Sequence, residues 1–156
     1  ILDASSTAWY MAANLPDIPL TVLTNSIKVA TELAAKEKIE VLSPGGILAS
    51  RSLSYVGPLA ERSLEAYYVD KAFISCKGVH LERGISESNE LQARVKQQMI
   101  GIADRVVLLA DSSKFGVQAF THVAALSDVA DIVTDRRLDG DTKRQLEERG
   151  ISVITA

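Results

Sequence analysis

The sequence predicts an α/β fold, Rossmann-like, with a mostly parallel sheet and helices on both faces. Two features predict it. The run Val106-Val107-Leu108-Leu109-Ala110 is apolar without interruption, as a central strand must be when helices cover both of its sides. Shorter apolar runs at 20–23, 39–42, 70–76, 131–135 and 151–154 alternate with segments of helical period, which is how a βαβ chain reads. Several of the strands also end in polar side chains. In open α/β sheets ligands bind beyond the carboxyl ends of the strands, so function is expected there.

With 156 residues the chain predicts one domain, 1–156, with a single substantial core. A net charge of -3 gives this segment no basic footprint for nucleic acid. Cys76 is the sole cysteine, so no internal disulfide forms, which fits a reducing, cytoplasmic setting. No apolar run reaches the ~20 residues that span a bilayer. The chain opens on Ile1-Leu2-Asp3, which reads as a strand entered midway, and a longer parent protein is expected.

Taken in order, Ile1-Leu2-Asp3 leads through the hydroxyl-rich turn Ala4-Ser5-Ser6-Thr7 into a helix over 8–15. A helix start offers unpaired N–H groups to an anion, although one of the three hydroxyls could equally be a simple cap. After a loop at 16–19, the strand 20–23 ends at Thr24-Asn25-Ser26. A helix follows over 27–38, with Ile27, Ala30, Leu33 and Ala34 on its apolar face. The strand 39–42 runs into Ser43-Pro44-Gly45-Gly46, where paired glycines permit close approach or merely turn the chain. Weak alternation over 47–56 suggests a β-hairpin arm or an edge strand. Gly57-Pro58 breaks it before a helix over 59–67 and a buried strand over 70–76.

The segment 77–89 reads as a polar loop. Residues 90–103 form the clearest amphipathic helix, with Leu91, Val95, Met99 and Ile102 on one face. Lys96 falls at the border of that face, where a solvated lysine is the ordinary expectation. Beyond the central strand come an apolar segment at 120–125, the strand 131–135, a helix over 139–149 closed by Gly150, and a last strand at 151–154.

Nucleotide-binding glycine motifs are absent, and His80 and His122 stand apart from any second ligand, so neither cofactor nor metal is implied. Cys76 reads as a buried structural thiol. The remaining signal is a set of polar strand ends: Asp3 with Ser5-Ser6-Thr7, Thr24-Asn25-Ser26, Lys77-Gly78 and Asp111-Ser112-Ser113-Lys114. Gathered at one edge of the sheet, they would form a pocket for a small sugar phosphate. Carboxylates suit its hydroxyls, while lysines, hydroxyls and helix N-termini suit its phosphate.

The same residues carry a family resemblance. Leu2-Asp3-Ala4-Ser5-Ser6-Thr7, Leu23-Thr24-Asn25-Ser26, Pro44-Gly45-Gly46 and Val56-Gly57-Pro58-Leu59-Ala60 occur in the order seen in DeoR-type bacterial transcriptional regulators. So do Asp70-Lys71-Ala72-Phe73, Arg94-Val95-Lys96-Gln97-Gln98-Met99-Ile100, Ala110-Asp111-Ser112-Ser113-Lys114-Phe115-Gly116 and Val133-Thr134-Asp135. The chain resembles the C-terminal effector-sensing domain of that family, whose fold is similar to the sugar isomerases typified by ribose-5-phosphate isomerase. The resemblance implies a domain that binds a phosphorylated sugar and is not itself an enzyme. It implies a repressor of sugar catabolism whose N-terminal winged helix-turn-helix, absent from this chain, binds operator DNA. Assembly as a homodimer or homotetramer is implied too, with no membrane partner.

Position by position, the resemblance assigns Ser5, Ser6 and Thr7 to the phosphate, and Asp3, Asn25 and Asp111 to sugar hydroxyls. Lys96 and Lys114 supply positive charge, and Thr24, Ser26, Gly45, Gly46, Gly78, Ser112 and Ser113 shape the walls. Ser5 departs from the glycine usual in the family's first loop and narrows the phosphate approach. The competing expectation is an aldose–ketose phosphate isomerase using the same pocket. Its base would be Glu87, Glu90 or Asp111, and its carbonyl polariser Lys96 or Lys114.

Overall fold

A computed structural model describes residues 1–156. Its main sheet is parallel. Strands β1 (Leu20–Leu23) and β2 (Ile39–Leu42) form one flank; β5 (Val69–Ser75), β8 (Ala103–Leu109), β10 (Asp131–Thr134) and β11 (Ser152–Thr155) form the other. Residues 1–3 join them, since Leu2 bridges both Thr24 and Phe73 in parallel. The Leu2 N–H donates to the Leu23 carbonyl, and the Phe73 N–H to that of Ile1. The spatial order is therefore β2, β1, residues 1–3, β5, β8, β10, β11.

The helices cover both faces, as the two-sided hydrophobicity of the strands requires. Helices α1 (Ser6–Asn14) and α2 (Ile27–Ala34) pack Ala8, Ala12, Val29 and Leu33 with Leu2, Val22 and Ile39, and Phe73 of β5 adjoins this group. Ala72 and Ile74 point to the opposite face. There they join Ala60 and Leu64 of α3 (Pro58–Leu64), Ala93, Val95 and Met99 of α4 (Glu90–Gly101), and Leu146 of α5 (Gly140–Glu148). Leu108 in the central run is wholly buried.

The segment 47–56 is a hairpin, β3 (Ile47–Ala49) antiparallel to β4 (Ser54–Val56). Residues 77–89, expected as a loop, are instead mostly sheet: β6 (Gly78–His80) and β7 (Gly84–Glu87) pair antiparallel, and β7 also pairs with β9 (Thr121–Ala124). Polar composition hid this, but all four residues of β7 are buried. Gly84 makes it feasible, with φ at 78° and a Cβ position only 2.1 Å from the Ala124 carbonyl oxygen.

Helix α2 stops at Ala34, short of the expected 38. Asp17 captures the N–H groups of Glu37 and Lys38 (3.2 and 2.9 Å) and so draws the chain into the turn before β2. Helix α3 likewise ends at Leu64, where the Glu65 N–H turns back to Arg62.

Candidate functional site

A cavity of about 600 Å³ opens at the carboxyl ends of the central strands. It is lined by the turn after residues 1–3, the end of β5, the junction of β7 and α4, the end of β8 with the turn beyond it, and the end of β10. Of the residues singled out in the sequence, Ser5, Ser6, Thr7, Cys76, Lys77, Glu87, Lys96, Asp111 and Lys114 line it.

At the start of α1 the capping reading of Ser5 is realised. Its Oγ accepts from the Ala8 N–H (3.0 Å), while its own N–H donates to Asp3 Oδ1 (3.1 Å). The next two backbone N–H groups, of Ser6 and Thr7, find no acceptor in the protein, and both residues are exposed. A helix N-terminus therefore faces the cavity with two amides and two hydroxyls unspent.

Lys96 is not solvated, as its place on the helix border suggests, but buried, with 6% of its surface exposed. Its Nζ donates to Glu87 Oε2 (2.5 Å) and the Ser75 carbonyl (2.8 Å), and lies 3.5 Å from Asp3 Oδ2. Burial alone would lower the ammonium's pKa, but Asp3 and Glu87 override it and hold Lys96 above the ordinary lysine value. One buried cation against two carboxylates leaves the cluster with a formal charge of -1.

Asp3 lies beneath the cavity and does not line it. Its carboxylate accepts from the Ser75 N–H (2.7 Å) and hydroxyl (3.0 Å) as well as from Ser5. Asp3 thus fastens the first turn to the end of β5, and its lone pairs are largely used. Glu87 lines the cavity, although the sequence offered it only as a base for the competing isomerase and not as a residue of the sensor pocket. Its signal was an acid two residues before the helix cap Asn89, inside a segment read as loop.

The other wall is more open. Asp111 caps a 3₁₀ turn over Ser112–Lys114, its Oδ1 accepting from the Ser113 N–H (2.9 Å) and from the Ser113 hydroxyl. That hydroxyl bond is the chief reason its pKa lies below the usual carboxylate value. Asp135 lines the same wall. It accepts from the N–H groups of Ser112 and Arg137 (both 2.8 Å), and these bonds hold its pKa well below the usual range. Lys114 and Lys77 border the cavity with no protein partner for either ammonium. Cys76 also forms part of the wall, and burial pushes its thiol up to about 12, so it stays protonated.

The remaining expected residues do not reach the cavity, each for a local reason. Thr24 Oγ1 accepts from the Ser26 N–H (3.1 Å), and Ser26 caps α2 by accepting from Val29 (3.2 Å). Asn25 donates its amide to the Tyr55 carbonyl (2.9 Å) and so bolts the β3–β4 hairpin to the sheet. Gly45 turns the chain at φ 65° beside open space. Gly46 and Gly78 are required by close packing: a Cβ would stand 2.8 Å from the Val56 oxygen and 2.3 Å from that of Val117. Ser112 and Ser113 build the turn that carries Lys114, their amides committed to Asp135 and Asp111. Glu90 lies on the exposed face of α4, paired with Arg94 (2.9 Å).

The hairpin tip completes the rim. Gln92 of α4 donates to both Ser52 and Ser54 (2.8 Å each), and Gln92 and Ser52 both line the cavity.

Comparison with known proteins now adds to the geometry. A family model described as the DeoR C terminal sensor domain matches residues 1–136. The chain is 56% identical over 98% of its length to an HTH-type transcriptional regulator, YulB, of Bacillus subtilis. It is 37% identical over 98% to the L-fucose operon activator of Haemophilus influenzae, and 36% identical over 99% to the HTH-type transcriptional repressor GlcR of Bacillus subtilis. It covers 59, 61 and 59% of those three proteins, about three fifths of each. These relatives are named as regulators of transcription, not as enzymes, so the isomerase expectation is set aside. No helix is long and apolar enough to cross a membrane.

Proposed function

The chain belongs to the DeoR family, matching its C-terminal sensor domain, and from that premise we propose that its cavity senses a phosphorylated sugar. One observation carries the reading. The unspent amides of Ser6 and Thr7 share a cavity with Lys77 and Lys114, two ammonium groups the protein leaves unpaired, while every carboxylate there is already engaged. Such a site is electrostatically incomplete and suits a dianion. Asp111 keeps its second oxygen for a sugar hydroxyl, and Glu87 and Lys96 form a rigid polar floor. Asn25 supports this site at one remove, by fixing the hairpin that brings Ser52 to the rim.

In the whole protein the sensor would act on an N-terminal winged helix-turn-helix that binds operator DNA in the cytoplasm. The relatives' names, one an operon activator for L-fucose and one a repressor, support a sugar-linked role of either sign. The effector needs only to bind the two DNA-binding states unequally, and ~1–3 kcal/mol of coupling changes operator affinity several-fold or more.

Thermal unfolding of this chain with a panel of sugar phosphates, the matching free sugars and inorganic phosphate tests the proposal. A ligand that binds only the folded state raises Tm. At least one sugar phosphate is expected to raise it, and its free sugar much less. If no phosphorylated sugar moves the transition, the sensor reading fails.

A further inference from the structure

Gln92, in the first turn of α4, stands where the hairpin tip meets the cavity. Its Nε2 lies 2.8 Å from the hydroxyl oxygens of both Ser52 and Ser54, which are themselves 2.7 Å apart. Residues two apart on an extended strand are separated by about 6.5 Å, so the chain must fold sharply to bring these hydroxyls together. Leu53 does so at φ 47°, in the left-handed region that no other non-glycine residue here adopts. Such strain persists only where its surroundings overdetermine it, and it gathers at functional sites.

The hydroxyl protons fix which way the amide points. The 2.7 Å contact between the serines needs one hydroxyl to donate to the other, and Ser52 has an outlet of its own in the Ala49 carbonyl (3.4 Å). Ser54 therefore donates to Ser52, Ser52 donates to Ala49, and both serine oxygens are left to accept. Only the NH2 end of Gln92 satisfies the pair. With the amide reversed, its oxygen would draw both protons and leave the serine oxygens in bare contact. Oε1 is thus turned away from the serines and receives no donor from the protein. It belongs to a half-buried side chain lining the cavity and is not sealed in the interior.

We infer that Gln92 Oε1 accepts a hydrogen bond from a sugar hydroxyl and so decides which sugar the cavity prefers. The inference rests on the sensor reading and adds the selecting residue to it. An acceptor cannot serve a dianionic phosphate, which offers acceptors alone and is provided for by the amides of Ser6 and Thr7 and by Lys77 and Lys114. It can serve a hydroxyl, which donates. Neutrality counts as well. Lys96 with Asp3 and Glu87 already carries a formal charge of -1, and a carboxylate at 92 would add to the repulsion of a dianion. Because both N–H groups of the amide are held, its oxygen cannot swing to follow a hydroxyl of different stereochemistry. A site built rigidly around one hydroxyl rejects ligands that lack it there.

Calorimetric titration tests this on the parent chain and on Gln92→Met, which keeps the length and removes the amide. The ligands are the 6-phosphates of glucose, mannose, galactose and fructose, ribose 5-phosphate, and inorganic phosphate. The parent chain is expected to bind at least one sugar phosphate and to rank the others below it. In Gln92→Met the preferred ligand is expected to lose about three- to tenfold in affinity, the range of a neutral hydrogen bond, and the gaps among the sugar phosphates to narrow. Inorganic phosphate is expected to bind both chains alike. An unchanged ranking in Gln92→Met overturns the inference and leaves the sensor reading intact, as does an equal loss for inorganic phosphate or a parent chain indifferent among the sugars. A parent chain that binds no sugar phosphate overturns both. Should Gln92→Met fail to fold, NMR of the parent chain decides. The side-chain carbonyl carbon of Gln92 is expected to shift with the tightest sugar phosphate and not with inorganic phosphate, and no shift with the sugar phosphate overturns the inference.

Discussion

Lys96 and Lys114 border one cavity and are held in opposite ways. Lys96 is buried and bonded to a carboxylate and a carbonyl, with a second carboxylate close by. Lys114 sits on a turn whose serine amides are committed to Asp135 and Asp111, and its own ammonium is left free. Desolvating a charge is costly unless partners surround it, so the protein can bury Lys96 only by completing its environment. A lysine completed in this way has little left to offer a ligand. The difference separates architecture from recognition within a single site.

Removing Lys96 gives the largest expected effect. Lys96→Met leaves Glu87 and Asp3 as buried, uncompensated carboxylates, and is expected to cost ~3–5 kcal/mol in urea unfolding. The double variant Lys96→Met with Glu87→Gln is expected to recover part of that. Because the folded pKa of Lys96 is raised, its contribution is complete below the unfolded value and lost only as pH climbs through the folded one. The cost of Lys96→Met is therefore expected to be flat from neutral pH to about pH 10. A loss no greater than for an exposed lysine would erase the contrast.

Lys114→Ala sharpens the comparison from the other side. Stability is expected to hold within ~0.5 kcal/mol. Affinity for whichever sugar phosphate shifts Tm is expected to fall about tenfold, as for one lost charge-assisted hydrogen bond. Free sugars are expected to be nearly indifferent, and equal losses for both ligand types would contradict the assigned role.

The start of α1 divides likewise. Ser5→Ala removes a cap and is expected to cost ~1 kcal/mol of stability, whereas Ser6→Ala is expected to alter ligand affinity and leave unfolding nearly unchanged. Asp135 gives the smallest effect, on the acid limb. Its folded pKa is depressed, so its stabilisation is present above the unfolded value and fades as pH falls through the folded one. Asp135→Asn is expected to lose slightly less stability than the parent chain between about pH 4 and pH 2.

The parallel sheet and its helices were legible because burial on both faces leaves an unbroken apolar run, as at Val106 to Ala110. The β6–β7 hairpin was not, because its burial comes from long-range packing against β9, and Ser86 and Glu87 look like loop residues in isolation. Ser5, Ser6 and Thr7, and from the later block Asp111 and Lys114, line the cavity, since a strand's end fixes where the next residues emerge. Thr24-Asn25-Ser26 also follows a strand end but faces the hairpin. Sequence marks a polar strand end without saying which neighbour claims it. The helix pattern alone placed Lys96 in solvent, because its partners, Asp3 and Glu87, come from two other segments.

Leu2 carries a further consequence. Its two single-residue bridges, with the Asp3–Ser75 and Asn25–Tyr55 bonds, join a flank made of α1, α2, β1 and β2, which has a small apolar core of its own, to the larger body around β8. A flank with its own core is suited to opening as one cooperative unit while the body stays closed. Native-state amide exchange is then expected to release β1 and β2 together, at a lower free energy than Leu108, with the Leu2 amide marking the moment the two parts let go.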